Sequence, residues 1–101
     1  MGGAREGIDA EDLLGSKGRI RVLQVLAESG ELNISEVGRR TGMNYTSVER
    51  HLDALREMGL LREKRYGKIR IYEALFRSVT VRFERSRGVR VETDAERPRI
   101  G

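Results

Sequence analysis

Two short stretches hold most of the side chains suited to recognition chemistry. Asn44-Tyr45-Thr46-Ser47, with Arg50 close behind, sets an amide, a phenol, two hydroxyls and a guanidinium in one local run. Such groups read patterns of hydrogen-bond donors and acceptors, and an arginine suits a paired acceptor edge such as that of guanine. Arg65-Tyr66-Gly67-Lys68, with Arg70, gathers cations around a glycine, an arrangement that suits phosphate. Bond-making chemistry has little to draw on. The chain has no cysteine, and His51 is its only histidine. Glu49 and Asp53 do not share its helical face, while Ser47 and Leu55, four residues to either side, are poor ligands. No nucleophile–base pair, carboxylate dyad, phosphate loop or metal cluster stands out. Neither an enzyme nor a cofactor is expected, and no metal site.

Charge sharpens the reading. The 101 residues carry a formal net charge of +4, unevenly spread. Residues 1–61 hold 8 basic against 10 acidic side chains, residues 62–90 hold 10 against 3, and residues 91–101 hold 2 against 3. A one-signed block beside near-neutral sequence points to a polyanion. Seventeen of the 20 basic residues are arginine, and asparagine and glutamine total 3, a composition that also fits adaptation to high temperature. Apolar runs are too short to span a bilayer. Met1 to Asp12 lacks the apolar core of a signal peptide, so a cytoplasmic location is expected.

These side chains need elements to position them. Ile8 to Leu14 reads as a short helix behind Asp9. Ser16 is a candidate cap for a helix over Arg19–Ser29, with Gly30 as its stop. Glu31 to Asn33 is an extended link. A short helix follows, capped by Asn33 or Ser35, marked by Ile34 and Val37, and ended by Gly42. Asn44 caps a third helix, Tyr45 to Met58, with Val48, Leu52 and Leu55 as its inward row. Leu60 to Tyr66 and Ile69 to Tyr72 form a hairpin turning at Gly67-Lys68. The expected core is Ile20, Leu23, Leu26, Val37, Val48, Leu52, Leu55, Leu61, Ile69 and Ile71. Val79, Val81 and Phe83 alternate, as do Val89 and Val91, and β-branched density favours a second hairpin there over a helix.

Helix, short helix, glycine turn, helix and basic hairpin is the layout of a winged helix-turn-helix. The expected class is α+β, mainly helical, with a three-helix core, a β-hairpin wing and an extra C-terminal hairpin or helix. Residues 1–15 read as an N-terminal extension and 16–75 as the domain. Residues 76–92 read as a C-terminal element suited to dimerisation, and 93–101 as a frayed tail. The third helix projects outward to enter a major groove. Tyr45, Thr46, Ser47 and Arg50 are then the base-reading candidates. Asn44, Arg40, Arg65, Lys68 and Arg70 are the candidates for the DNA backbone.

The pieces RVLQVLAESGELNISEVGRRTG, SVERHLDALREMGLL and REKRYGKIRIYEAL resemble ArsR-type winged-helix transcriptional regulators over about residues 16–75. The resemblance implies a DNA-binding repressor or regulator, usually a symmetric dimer, with its reading helix over Tyr45–Met58 and its wing over Arg62–Tyr72. Metal-sensing members place two cysteines where this chain has Asn33 and Ser35. A neutral amide and a hydroxyl do not replace thiolates as soft-metal ligands, so that activity is not carried over. FRSVTVRFERSRGVRVE also departs, because many relatives continue there into a dimerisation helix. Ile8, Leu13 and Leu14, with Phe76, Val79 and Phe83, would be left exposed on a monomer and suggest a homodimer. The competing reading is a winged helix that binds protein, since Glu49, Asp53 and Glu57 would meet phosphates poorly.

Overall fold

Four helices begin at side chains that cap them. In the computed structural model, which describes residues 7–95, α1 (Ala10–Leu14) starts behind Asp9, whose carboxylate accepts from the Glu11 N–H at 3.0 Å. Ser16 caps α2 (Lys17–Ser29) by accepting from the Arg19 N–H. Asn33 opens α3 (Ile34–Thr41) in a reciprocal box: its oxygen accepts from the Glu36 N–H at 2.8 Å, and its own N–H donates to the Glu36 carboxylate at 3.0 Å. Asn44 caps α4 (Tyr45–Glu57) through the Ser47 N–H at 2.9 Å. Between α3 and α4, Gly42 takes a left-handed φ of 74°, which turns the chain with no side-chain penalty.

Five strands complete the fold. β1 (Glu31–Asn33) pairs antiparallel with β3 (Ile69–Ala74), which pairs in turn with β2 (Leu61–Tyr66). The wing is therefore the outer part of a three-stranded sheet whose third strand runs directly into α3. A two-residue loop closes the wing. Gly67 sits at φ 62°, as the first central position of a type II′ hairpin turn requires. β4 (Phe76–Glu84) and β5 (Gly88–Ala95) form a separate antiparallel hairpin.

One core joins these parts. Val22 and Leu26 of α2, Val37 of α3, and Val48, Leu52 and Leu55 of α4 are fully buried, and Leu32, Leu61 and Tyr72 close it from the sheet. Leu13 of α1 is buried too, and Val91 of β5 and Phe76 of β4 reach the same cluster. Among the described residues, no helix is long and apolar enough to cross a membrane.

The α+β winged helix-turn-helix class stands, with helices holding more residues than strands. Several expectations need correction. Ile20 and Ile69 are exposed and Ile71 is half-buried, so they are not core. In the wing, Leu61 and Tyr72 point inward, which turns Ile69 and Ile71 to the other face. Leu13 is buried within one chain, and Ile8 packs against the core; Leu14 alone of the three stays exposed. The second hairpin forms as favoured, but β5 runs to Ala95, so Thr93 is buried and in a strand rather than frayed. The remainder of the expected tail, 96–101, lies outside the described residues, as do the first six residues of the N-terminal extension.

Candidate nucleic-acid interface

The start of α4 and the tip of the wing face a common cleft of about 240 Å³. Asn33, Ile34 and Ser35 line it from the β1–α3 junction, Tyr45 from α4, and Lys68, Ile69 and Arg70 from the wing. Tyr45 is half exposed, Thr46 is exposed and Ser47 is half-buried. Arg50 is exposed one turn further along, with no hydrogen-bond or ion-pair partner among the described residues. Lys68 at the turn is likewise exposed and unpaired. The first N–H groups of a helix have no intrahelical acceptor, so α4 presents donors as well as side chains at this end.

The wing is fastened to α4 by one arginine. Arg70 donates through Nη1 to Glu49 of α4 at 2.5 Å, through Nε to Glu63 of β2 at 2.9 Å, and through Nη2 to the Tyr72 hydroxyl at 2.6 Å. The Tyr72 hydroxyl donates onward to Asp53 of α4 at 2.8 Å. The guanidinium also lies 5.7 Å from the centre of the Tyr72 ring. These contacts shift the protonation equilibria. The Glu49 bond raises the Arg70 value above its ordinary one against the opposing effect of burial, and Glu63 adds to the rise. Burial pushes the Tyr72 hydroxyl up to about 12, with Asp53 reinforcing it. Burial would raise the Glu63 carboxyl, but the bond and charge of Arg70, helped by Arg65, hold it below its usual range.

The outer face of the sheet carries a second row of charges. Arg62 donates to Glu73 at 2.6 Å, and Lys64 reaches Glu31 at 3.0 Å and Glu73 at 3.7 Å. The Arg62 bond and the two cations keep the Glu73 carboxyl below its ordinary range, and the Glu31 bond raises Lys64.

The nine residues singled out from sequence are therefore placed unequally. Tyr45, Lys68 and Arg70 share the cleft, and Thr46, Ser47 and Arg50 continue along the same helix. Asn44 uses its side-chain oxygen as a cap. Arg65 is exposed and pairs with Glu63 at 3.3 Å. Arg40 donates to the Ser29 hydroxyl at 2.5 Å, at the far end of α2. Arg70 is turned inward into the carboxylates Glu49 and Glu63. Glu49 and Asp53, which seemed awkward against phosphate, face this arginine and the wing. Sequence reasoning missed Ser35, which lines the cleft, and the exposed Tyr66 and Ile69 that flank the turn. An aromatic and an aliphatic residue on either side of Gly67-Lys68 was the available signal.

His51 is buried under α2. Its Nδ1 accepts from Arg19 Nε at 3.3 Å, and Arg19 pairs in turn with Asp12 of α1 at 2.7 Å. Burial lowers the imidazole below its ordinary value, and Arg19 and Arg50 lower it further. Arg19 had no signal in the sequence beyond its charge.

Comparisons with known proteins agree with this architecture. Residues 16–63 match the family described as bacterial regulatory protein, arsR family. Among solved structures, the crystal structure of the AntR antimony-specific transcriptional repressor is 30% identical with a TM-score of 0.58, over 62% of this chain and 57% of that one. A solution structure of a homodimeric winged helix-turn-helix DNA-binding domain from Mycobacterium bovis (Mb0332, fragment 1–100) is 32% identical with a TM-score of 0.55, again over 62% and 57%. The chain thus spans less than two thirds of these relatives. A search of curated proteins gives no match. Fold and sequence similarity agree: residues 16–63 match the arsR-family helix-turn-helix, and β3 extends that unit into a winged helix.

Proposed function

We propose that the protein is a dimeric, DNA-binding transcriptional regulator of the repressor kind, acting in the cytoplasm on an inverted-repeat operator. The supporting observation is the shared cleft, where the free end of α4 and the unpaired Lys68 converge. Tyr45, Thr46, Ser47 and Arg50 read base edges, with Arg50 suited to guanine. Lys68 and Arg65 contact phosphate, and Tyr66 and Ile69 pack on sugar. Arg70 acts as a positioning residue, holding the wing at a fixed angle to α4. Asn44 positions the helix start, and Arg40 lies outside the contact set. The antimony specificity named for one relative is not transferred. This chain has no cysteine, and Asn33, whose amide would replace a thiolate, caps α3.

Selection of binding sites from random duplexes tests the reading. Enrichment of an inverted repeat is the expected result. Affinity for that site should fall by roughly three decades between 50 and 200 mM salt, as expected for a dimer with several phosphate contacts per wing. Absence of any enriched sequence would favour a protein-binding winged helix.

A further inference from the structure

Most cations of the wing are neutralised within the molecule. Arg62, Lys64, Arg65 and Arg70 pair with Glu73, Glu31, Glu63 and Glu49, and Lys68 is the wing cation left unpaired among the described residues. The second half of the positive block behaves otherwise. Residues 82–90 hold four arginines against one glutamate. Arg82 and Arg90, on the shaft of the β4–β5 hairpin, share Glu84 and Glu92 at 3.4–3.9 Å. Arg85 and Arg87, in the turn, are exposed, and their guanidinium groups have no partner among the described residues.

The hairpin carries these two cations clear of the core. Val81 and Val91 face each other on the last rung that packs there. Three more residues of β4 bring the chain to the turn, about 10 Å further at the rise of a strand. Phe83, on that stretch, is 80% exposed. Ser86, between the two arginines, takes a left-handed φ of 73°, the one non-glycine residue to do so among those described. Backbone of that kind clusters at loops that grip a ligand. Two uncompensated guanidinium groups on one turn repel each other, so an anion that answers both is favoured there. On the reading above, this chain meets such an anion in duplex DNA, whose phosphates follow one another at short intervals and match the planar fork of arginine.

We propose that the Arg85-Ser86-Arg87 tip is a second DNA-backbone contact, separate from the wing, with both guanidinium groups on phosphates and Phe83 against the adjoining sugar. This rests on the DNA-binding reading above. The hairpin lies beyond the arsR-family match at residues 16–63, so the contact is an addition to that unit. It adds affinity without adding sequence readout.

Fluorescence anisotropy of the full chain on the selected duplex, at several salt concentrations, tests the proposal, with sedimentation equilibrium and thermal unfolding as controls. Arg85→Ala with Arg87→Ala should lower the affinity roughly tenfold or more and reduce the slope of log K against log salt by about 2 per chain. Arg85→Lys with Arg87→Lys keeps the point charges and should keep most of the slope. Oligomeric state and unfolding should be the same in all three proteins. A slope unchanged by the alanine pair would overturn the second contact and leave the DNA-binding reading standing. A slope lost equally in the lysine pair would trace the effect to the shape of the hairpin and overturn the contact too. A fall in affinity that accompanies a changed oligomeric state would assign the tip to a contact between subunits and overturn the proposal. A wild type that binds no duplex would overturn both readings.

Discussion

Arg70 and Glu49 stand on different halves of the molecule, one on the inner strand of the wing and the other on α4, and their side chains meet at 2.5 Å. With Glu63 and Tyr72 the arginine has three acceptors, and it is mostly shielded from water. Arg70→Ala should cost about 1–3 kcal/mol, because it leaves Glu49 without a partner, Glu63 with Arg65 alone and the buried Tyr72 hydroxyl with Asp53 alone. Arg70→Lys keeps the charge and loses the fork, so it should recover only part of the loss. Urea denaturation reads both, with an unchanged m-value expected.

Lys68 and Arg70 should separate by salt dependence. Lys68→Ala removes a phosphate contact on the proposed reading. The slope of log K against log salt should then shrink by about 1 per wing. Arg70→Ala should weaken duplex binding by loosening the wing while leaving that slope alone. Fluorescence anisotropy at several salt concentrations distinguishes them, and a reduced slope for Arg70→Ala would place its guanidinium on DNA.

Arg50 offers a test of base reading. Arg50→Ala should cost roughly 1–3 kcal/mol on the selected operator and relax the preference at one base pair in each half-site. Uniform weakening across all sequences would make it a backbone contact.

His51 gives the fold a pH dependence of definite sign. Its folded value lies below the ordinary 6.5 because of burial and the neighbouring arginines, while the unfolded chain titrates near 6.5. The unfolded state therefore binds more protons in that window. Stability is fully present above about 6.5 and falls as pH drops through the folded value. Glu63 and Glu73, also held below their ordinary 4.5, contribute a second loss at still lower pH. Urea midpoints between pH 7.5 and 5 should show the first loss, and His51→Gln should flatten it.

Much of this arrangement is legible in the chain. Asp9, Ser16, Asn33 and Asn44 announce helix starts, and all four cap. Gly67-Lys68 fixes the hairpin turn. The wing's inner face is where the reading fails. Isoleucine is the more apolar residue, so Ile69 and Ile71 look like core, yet a strand has only two faces and Tyr72 takes the inner one. Tyr72 tolerates burial because Asp53 and Arg70 satisfy its hydroxyl. Strand parity then carries Arg70 inward with it, away from the solvent where a cation on a hairpin is expected. The acids that receive it lie 7 and 21 residues away, beyond the reach of local pattern. The positive block 62–90 divides between the wing and the second hairpin, a division that charge counting alone does not reveal.

The hydrogen-bonded run from β2 through β3 to β1 has a mechanical consequence. β1 passes into α3 at the Asn33 box with no intervening loop, and Arg70 ties β3 to α4. Wing and α4 are thus tied together as one jaw rather than joined as a hinged finger. On the proposed reading, a duplex docked there bends or twists to fit the jaw, and deformation is easier at some base steps than at others. Sequence preference should therefore extend to base pairs lying between α4 and the wing that no side chain touches.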